Sequence, residues 1–160
     1  MNRIQIFISA FLLTFCLLFS VSALAQEDVS KLSEQANILL ESNKPEEAAA
    51  IHEKMLLVDS MNYESNAWLG NYYYLLGQKK VEDEESRYDA IANPGKMQTA
   101  LHMDELKSIY RNYYDKADGY AKRALNIRKN DHLQNMVESI ESFKISVRLA
   151  SPPEKKRGRK

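Results

Sequence analysis

Three histidines, one cysteine and a few carboxylate-rich stretches are the residues of this 160-residue chain that could do chemistry. His52, His102 and His132 stand far apart, and none has a second histidine at the helical spacing of a metal pair. His102 precedes Asp104 and Glu105, which reads as a solvated helix face rather than a ligand set. Asp115-Lys116-Ala117-Asp118-Gly119 begins like a calcium loop, but Ala117 and Gly119 fall where ligands are required. No nucleophile elbow, H-E-x-x-H or phosphate-loop signature occurs. Acidic pairs such as Glu46-Glu47 suit a helix start and need no catalytic role. The residues point to a protein that is not an enzyme, with no cofactor and no metal.

The elements that would position these residues follow from composition and pattern. The chain is 44% apolar and 28% charged, with 22 basic and 22 acidic side chains. A balanced charge argues against nucleic acid as a partner. Five glycines leave little room for a turn-rich β fold.

Both ends differ from the middle. Arg3 is followed by an apolar run to Leu24 that closes on Ala23-Leu24-Ala25 and turns polar at Gln26-Glu27-Asp28. That order predicts a signal peptide over 1–25 and export to the periplasm or the exterior. An uncleaved membrane anchor is the alternative, since about 20 apolar residues can span a bilayer. Phe15 before Cys16 is too large for a lipidation site, and cleavage after Ala25 leaves no thiol for a disulfide or nucleophile. At the other end Ser151–Lys160 reads as a disordered basic tail, with Lys155, Lys156, Arg157, Arg159 and Lys160 against Glu154. It is a solvated end or a contact for an anionic surface such as lipid headgroups. The stretch between, 26–150, carries 16 basic and 21 acidic groups.

Within 26–150 apolar residues recur at three and four. Leu32, Ala36, Leu39 and Leu40 form one stripe, and Ala48, Ile51, Met55 and Leu56 the next. Asn43 can take the left-handed conformation that closes a helix, and Pro45 suits the first turn of another. Two short antiparallel helices are predicted over 29–58. The segment from Glu53 to Asn62 is paralleled by the one from Lys122 to Asp131.

Counted from Val29, small Ala36, large Leu39 and small Ala48 fall at positions eight, eleven and twenty; counted from Tyr63, Leu69, Gly70 and Tyr73 form an L-G-x-x-Y run. On these residues the chain resembles tetratricopeptide (TPR) repeats, helix–turn–helix units of about 34 residues. Ala117 and Ala124 occupy the small positions of the second repeat's second helix. Trp68 stands two places after the usual tryptophan, Ser60 and Lys129 replace the closing prolines, and His52 stands where an aromatic is normal. The resemblance implies an all-α fold of about two TPR-like helix pairs that binds a protein or peptide partner. It places the concave face largely on the first helix of each pair, at Ser30, Ser33, Asn37, Leu40 and Glu41 and at Glu64, Ala67, Asn71, Tyr74 and Leu75, with Asn37, Glu41, Asn71 and Tyr74 as the candidate contact residues. Asn37 and Asn71 match asparagines of a carboxylate clamp, but Ser33 and Ala67 stand where that clamp needs lysine, so its function does not carry over.

The second repeat holds an insertion of about 78–112, centred on the turn signal Asn93-Pro94-Gly95. The spacing of Leu106, Ile109, Tyr110, Tyr113 and Ala117 predicts helix on its far side, so both helices of the repeat lengthen into a hairpin with arms of roughly 25 Å. A floppy loop is the alternative, favoured by Val81-Glu82-Asp83-Glu84-Glu85. Replacing 78–112 by a short Asn-Gly turn is expected to leave the contacts of Leu69, Gly70, Tyr73, Ala117 and Ala124 possible and to yield a folded, helical, less stable protein. Leu133, Met136, Val137, Ile140, Phe143 or Lys144, and Val147 predict a C-terminal capping helix. Tyr72-Tyr73-Tyr74 cannot all face one way, because helical neighbours lie about 100° apart. They either serve as contact residues or pack against Tyr110, Tyr113 and Tyr114.

The leading functional expectation is a non-enzymatic protein- or peptide-binding module outside the cytoplasm. The alternative is an envelope-associated protein held on an anionic surface by its tail. Asp59-Ser60-Met61 also resembles the short acceptor of a bacterial O-glycosylation system at Ser60.

Overall fold

The computed structural model describes residues 28–149; the expected signal peptide 1–25 and tail 151–160 lie outside the described residues. Among the described residues every regular element is a helix, so the all-α expectation holds. The chain divides into two compact units, with the boundary between Ser65 and Asn66.

The first unit is built from α1 (28–41), α2 (Pro45–Val58) and the opening turn of α3 (Tyr63–Asp89). α1 ends because Asn43 takes φ 54°, which lets Lys44 N–H reach Leu39 O and Asn43 N–H reach Leu40 O. Pro45 has no N–H to satisfy at the start of α2, and Glu46 and Glu47 sit at the positive end of its dipole. Ala36, Ala48 and Ala49 are buried, which permits close approach, and His52 and Met55 continue the buried face of α2. Asp59 accepts the Met61 N–H, and Asn62 caps α3 by accepting the Ser65 N–H at 2.9 Å.

The second unit is a long hairpin with one further helix. α3 runs 27 residues, about 40 Å, to a turn at 90–95. Asn93 supplies the left-handed residue with φ 57°, and Gly95 opens α4 (Lys96–Ile109) with its N–H on Gln98 Oε1. The chain then passes through one π-turn, Tyr110–Tyr114, directly into α5 (Asp115–Ile127). Asp115 N–H bonds Tyr110 O, five residues back, instead of four.

The hairpin is zipped from base to tip by paired side chains. Arg123 Nε donates to buried Asn66 Oδ1 at 3.0 Å. Gly70 faces the Ala121 backbone so closely that a Cβ there would lie 3.2 Å from Ala121 N. Tyr73 stacks on Tyr120 at 5.9 Å, Tyr74 meets Tyr114 edge-on at 5.7 Å, and Glu84 meets His102 beyond them. Both sides of the turn within 78–112 are therefore helical, and the segment is not the floppy loop.

The same segment also feeds the core. Leu106, Ile109 and Tyr110 fall within 78–112 and are buried. The π-turn packs against α6 (Asp131–Ser146), where Phe143 lies 4.8 Å from the Tyr114 ring and 6.4 Å from Tyr110. Leu133, Met136 and Ile140 are the buried stripe of α6, as the spacing predicts, with buried Val147 just past its end, and Asn130 caps its start by accepting the Leu133 N–H. The turns before α3 and α6 differ in length by one residue: Asn62 closes a four-residue turn, and Asn130 closes a three-residue one.

Candidate functional site

In the first unit α1, α2 and the start of α3 leave a groove of about 500 Å³ between them. α1 presents Ser30, Ser33 and Asn37 to it, spaced three and four so that one helical face carries all of them, with Glu34 beside them. All four side chains are exposed. The turn before α3 adds Asn62, and the first turn of α3 adds Glu64 and Ser65. The antiparallel course of α1 and α2 sets His52 and Met55 as the floor.

That floor is polar and satisfied. The Ser65 hydroxyl donates to Met55 Sδ at 3.8 Å, which makes His52 Nδ1–H the donor to Ser65 Oγ at 3.3 Å. Burial disfavours the charged imidazole and pulls the His52 pKa from 6.5 to about 4. The ring is neutral at physiological pH, and the groove has no cation at its base.

The expected concave-face residues divide between the units. Asn37 lines the groove, whereas Glu41, exposed in the last turn of α1, does not. Asn71 and Tyr74 lie on α3 in the second unit and are half-buried. His132 Nε2–H donates to Asn71 Oδ1 at 2.8 Å, and Tyr74 Oη accepts from Gln78 while its ring meets Tyr114. Lys155, Lys156, Arg157, Arg159 and Lys160 lie outside the described residues.

The tyrosines mostly serve packing. Tyr110 and Tyr114 are buried, and burial raises both phenols to about 12, so they stay protonated at physiological pH. Asp115, Asp118 and Glu141 reinforce the effect at Tyr110, and Tyr74 does so at Tyr114. Lys116 and Arg123 lie over the faces of Tyr73 and Tyr120 at 4.8 and 4.6 Å, a favourable placement of cation on ring. Tyr72 stacks on Trp68, one turn earlier, with centroids 5.1 Å apart.

Near the hairpin tip lies a pairing that the sequence pattern does not mark. His102 Nδ1 is 2.9 Å from Glu84 Oε1, and its ring stacks on Tyr88 with centroids 4.0 Å apart. Glu84, only 7% exposed, also pairs with Arg87, and Tyr88 Oη lies 2.9 Å from Thr99 Oγ1. The carboxylates beside His102 in sequence are not its partners: Asp104 pairs with Lys107, while Glu84 comes from the other arm. The signal that would have found it is the turn at 90–95, which sets 84 and 102 opposite each other once both arms are helical. The cluster clasps the two arms. A cleft of about 380 Å³ beside it is lined by Ile91 and Leu101 among others, and Met97 on the same tip is 74% exposed. Among the described residues no three His, Cys, Asp or Glu side chains converge as a metal site, and no helix is long and apolar enough to cross a membrane.

No family model matches the chain, and no curated protein matches it either. Among solved structures it is similar to a protein from Bacteroides ovatus ATCC 8483, with a TM-score of 0.71 and 26% identity over 74% of this chain. The match spans 58% of that neighbour's length, and the neighbour's description proposes a protein-binding protein.

Proposed function

We infer that the chain is a non-enzymatic protein- or peptide-binding module of TPR-like helix pairs, exported from the cytoplasm. The observation that carries this reading is the groove of the first unit, open, polar-walled and lined from two antiparallel helices and the start of a third. Repeat modules of this kind bind partners on faces formed by successive helices. The Bacteroides ovatus neighbour supports the same reading through the binding role its description proposes. Export rests on the sequence of 1–25 alone, and the non-enzymatic reading on the lack of a catalytic signature in the sequence.

The test is a capture experiment from cell-envelope extract with the full chain as bait. Ser33→Trp with Asn37→Arg would fill the groove from exposed positions and leave the buried alanines untouched. Loss of the captured proteins, with circular dichroism unchanged, is the expected result. Capture unaffected by the filled groove would place the contact elsewhere.

A further inference from the structure

The acidity of the chain is not spread over it. Residues 28–65 carry three basic and eight acidic side chains, a net of −5, whereas 66–149 carry thirteen and twelve, a net of +1. Inside the first unit the groove carries two of the eight acidic side chains and none of the three basic ones. Glu34 and Glu64 line it, and no lysine or arginine does. Of the three basic residues, Lys44 pairs with Glu47 at 2.9 Å beside the α1–α2 turn, and Lys31 and Lys54 stand outside the lining. Glu34 makes no ion pair among the described residues.

We propose that this groove receives a basic segment of its partner protein, one that sets lysine or arginine side chains against Glu34 and Glu64. The proposal rests on the protein-binding reading above and names the partner's chemistry. A concave wall of one sign concentrates the opposite sign and repels its own, so it selects partners as well as holding them. The floor does not oppose this, because the buried His52 ring is neutral and already bonded to Ser65. Ser30, Ser33 and Asn37 supply hydroxyl and amide groups along one helical face, suited to the backbone amides of an incoming segment. A volume of about 500 Å³ accommodates a few side chains of a peptide segment rather than the face of a folded domain.

The test uses the labelled full chain on an array of random dodecapeptides whose net charge runs from about −4 to about +4. Bound peptides should be enriched in lysine and arginine by about tenfold over acidic ones, and the enrichment should shrink as sodium chloride rises from about 50 to about 300 mM. Glu34→Gln with Glu64→Gln, both at exposed positions, should abolish the enrichment while neutral peptides are still captured. Peptides bound without charge bias, or a bias that the double variant leaves intact, would overturn the proposal and leave protein binding standing. Failure of the unaltered chain to capture any peptide or any envelope protein would instead remove the protein-binding reading and the proposal with it.

Discussion

The first unit buries few large side chains and carries an exposed polar face on α1; the second buries many and pairs polar groups across its hairpin. In 28–65 the buried side chains are Ala36, Ala48, Ala49, His52, Met55 and Ser65. In 66–149 they include Leu69, Leu106, Ile109, Tyr110, Tyr114, Leu133, Met136 and Ile140. Asn66, Asn71, Glu84 and His102 of the second unit are all spoken for by side chains within it. The difference teaches a division of labour. Aromatic stacks and paired polar groups make a hairpin that holds its shape, while the first unit sets a thin core beneath the exposed Ser30, Ser33, Glu34 and Asn37 of α1.

The largest effect expected from breaking this contrast is in the second unit. Excising 78–112 removes Leu106, Ile109 and Tyr110, all 6% exposed or less. At about 2–5 kcal/mol for each large buried side chain, the loss matches the whole stability of an ordinary domain. The variant should show no cooperative urea transition. Excising only 81–105, which spares those three residues, should preserve one. A cooperative transition in the longer excision would mean that the insert is peripheral, as its place in the repeat had suggested.

A smaller effect is expected in the first unit, and it depends on pH. The folded pKa of His52, about 4, lies below the unfolded 6.5, so the unfolded chain binds the extra proton between these values. The stability it secures is complete above about pH 6.5 and drains away as pH falls towards 4, by at most about 3 kcal/mol. Urea melts at intervals across that window should give a steeper acid loss for the unaltered chain than for His52→Gln. Equal slopes would show that the imidazole is not desolvated and that the groove floor is wetter than described.

The smallest effect sharpens the account of the hairpin. A Cβ on Gly77 would lie 3.0 Å from two atoms of the Tyr114 ring, which Phe143 and Tyr74 hold on its other sides. Gly77→Ala should cost about 1 kcal/mol in a chemical melt, although alanine favours a helix interior by nearly that amount. A stabilised variant would show that the ring has room to move.

Much of the fold was legible in residue order because helices are local. The stripes of three and four, Pro45, the helix-closing Asn43 and the turn near Asn93 all depend on neighbours a few positions away, and the helices follow them. The lengthened hairpin was legible too, since the spacing from Leu106 to Ala117 runs unbroken. The candidate site was legible at Ser30, Ser33, Asn37 and Glu64 and no further, because the repeat pattern marks which face of a helix looks outward and not what stands opposite. Glu84 and His102, eighteen residues apart, became partners when two helices of matched length were laid side by side. His52 and Ser65 met by the same kind of closure, and only burial in that closure makes the imidazole neutral. The sequence by itself determined the helices, their ends and the overall count of charge. Tertiary structure alone decided which charges share a groove, which tyrosines go dark, and that the π-turn at Tyr110–Tyr114 seats both rings on α6. Pairing across a chain reversal depends on the distance between elements, and no local pattern encodes that distance.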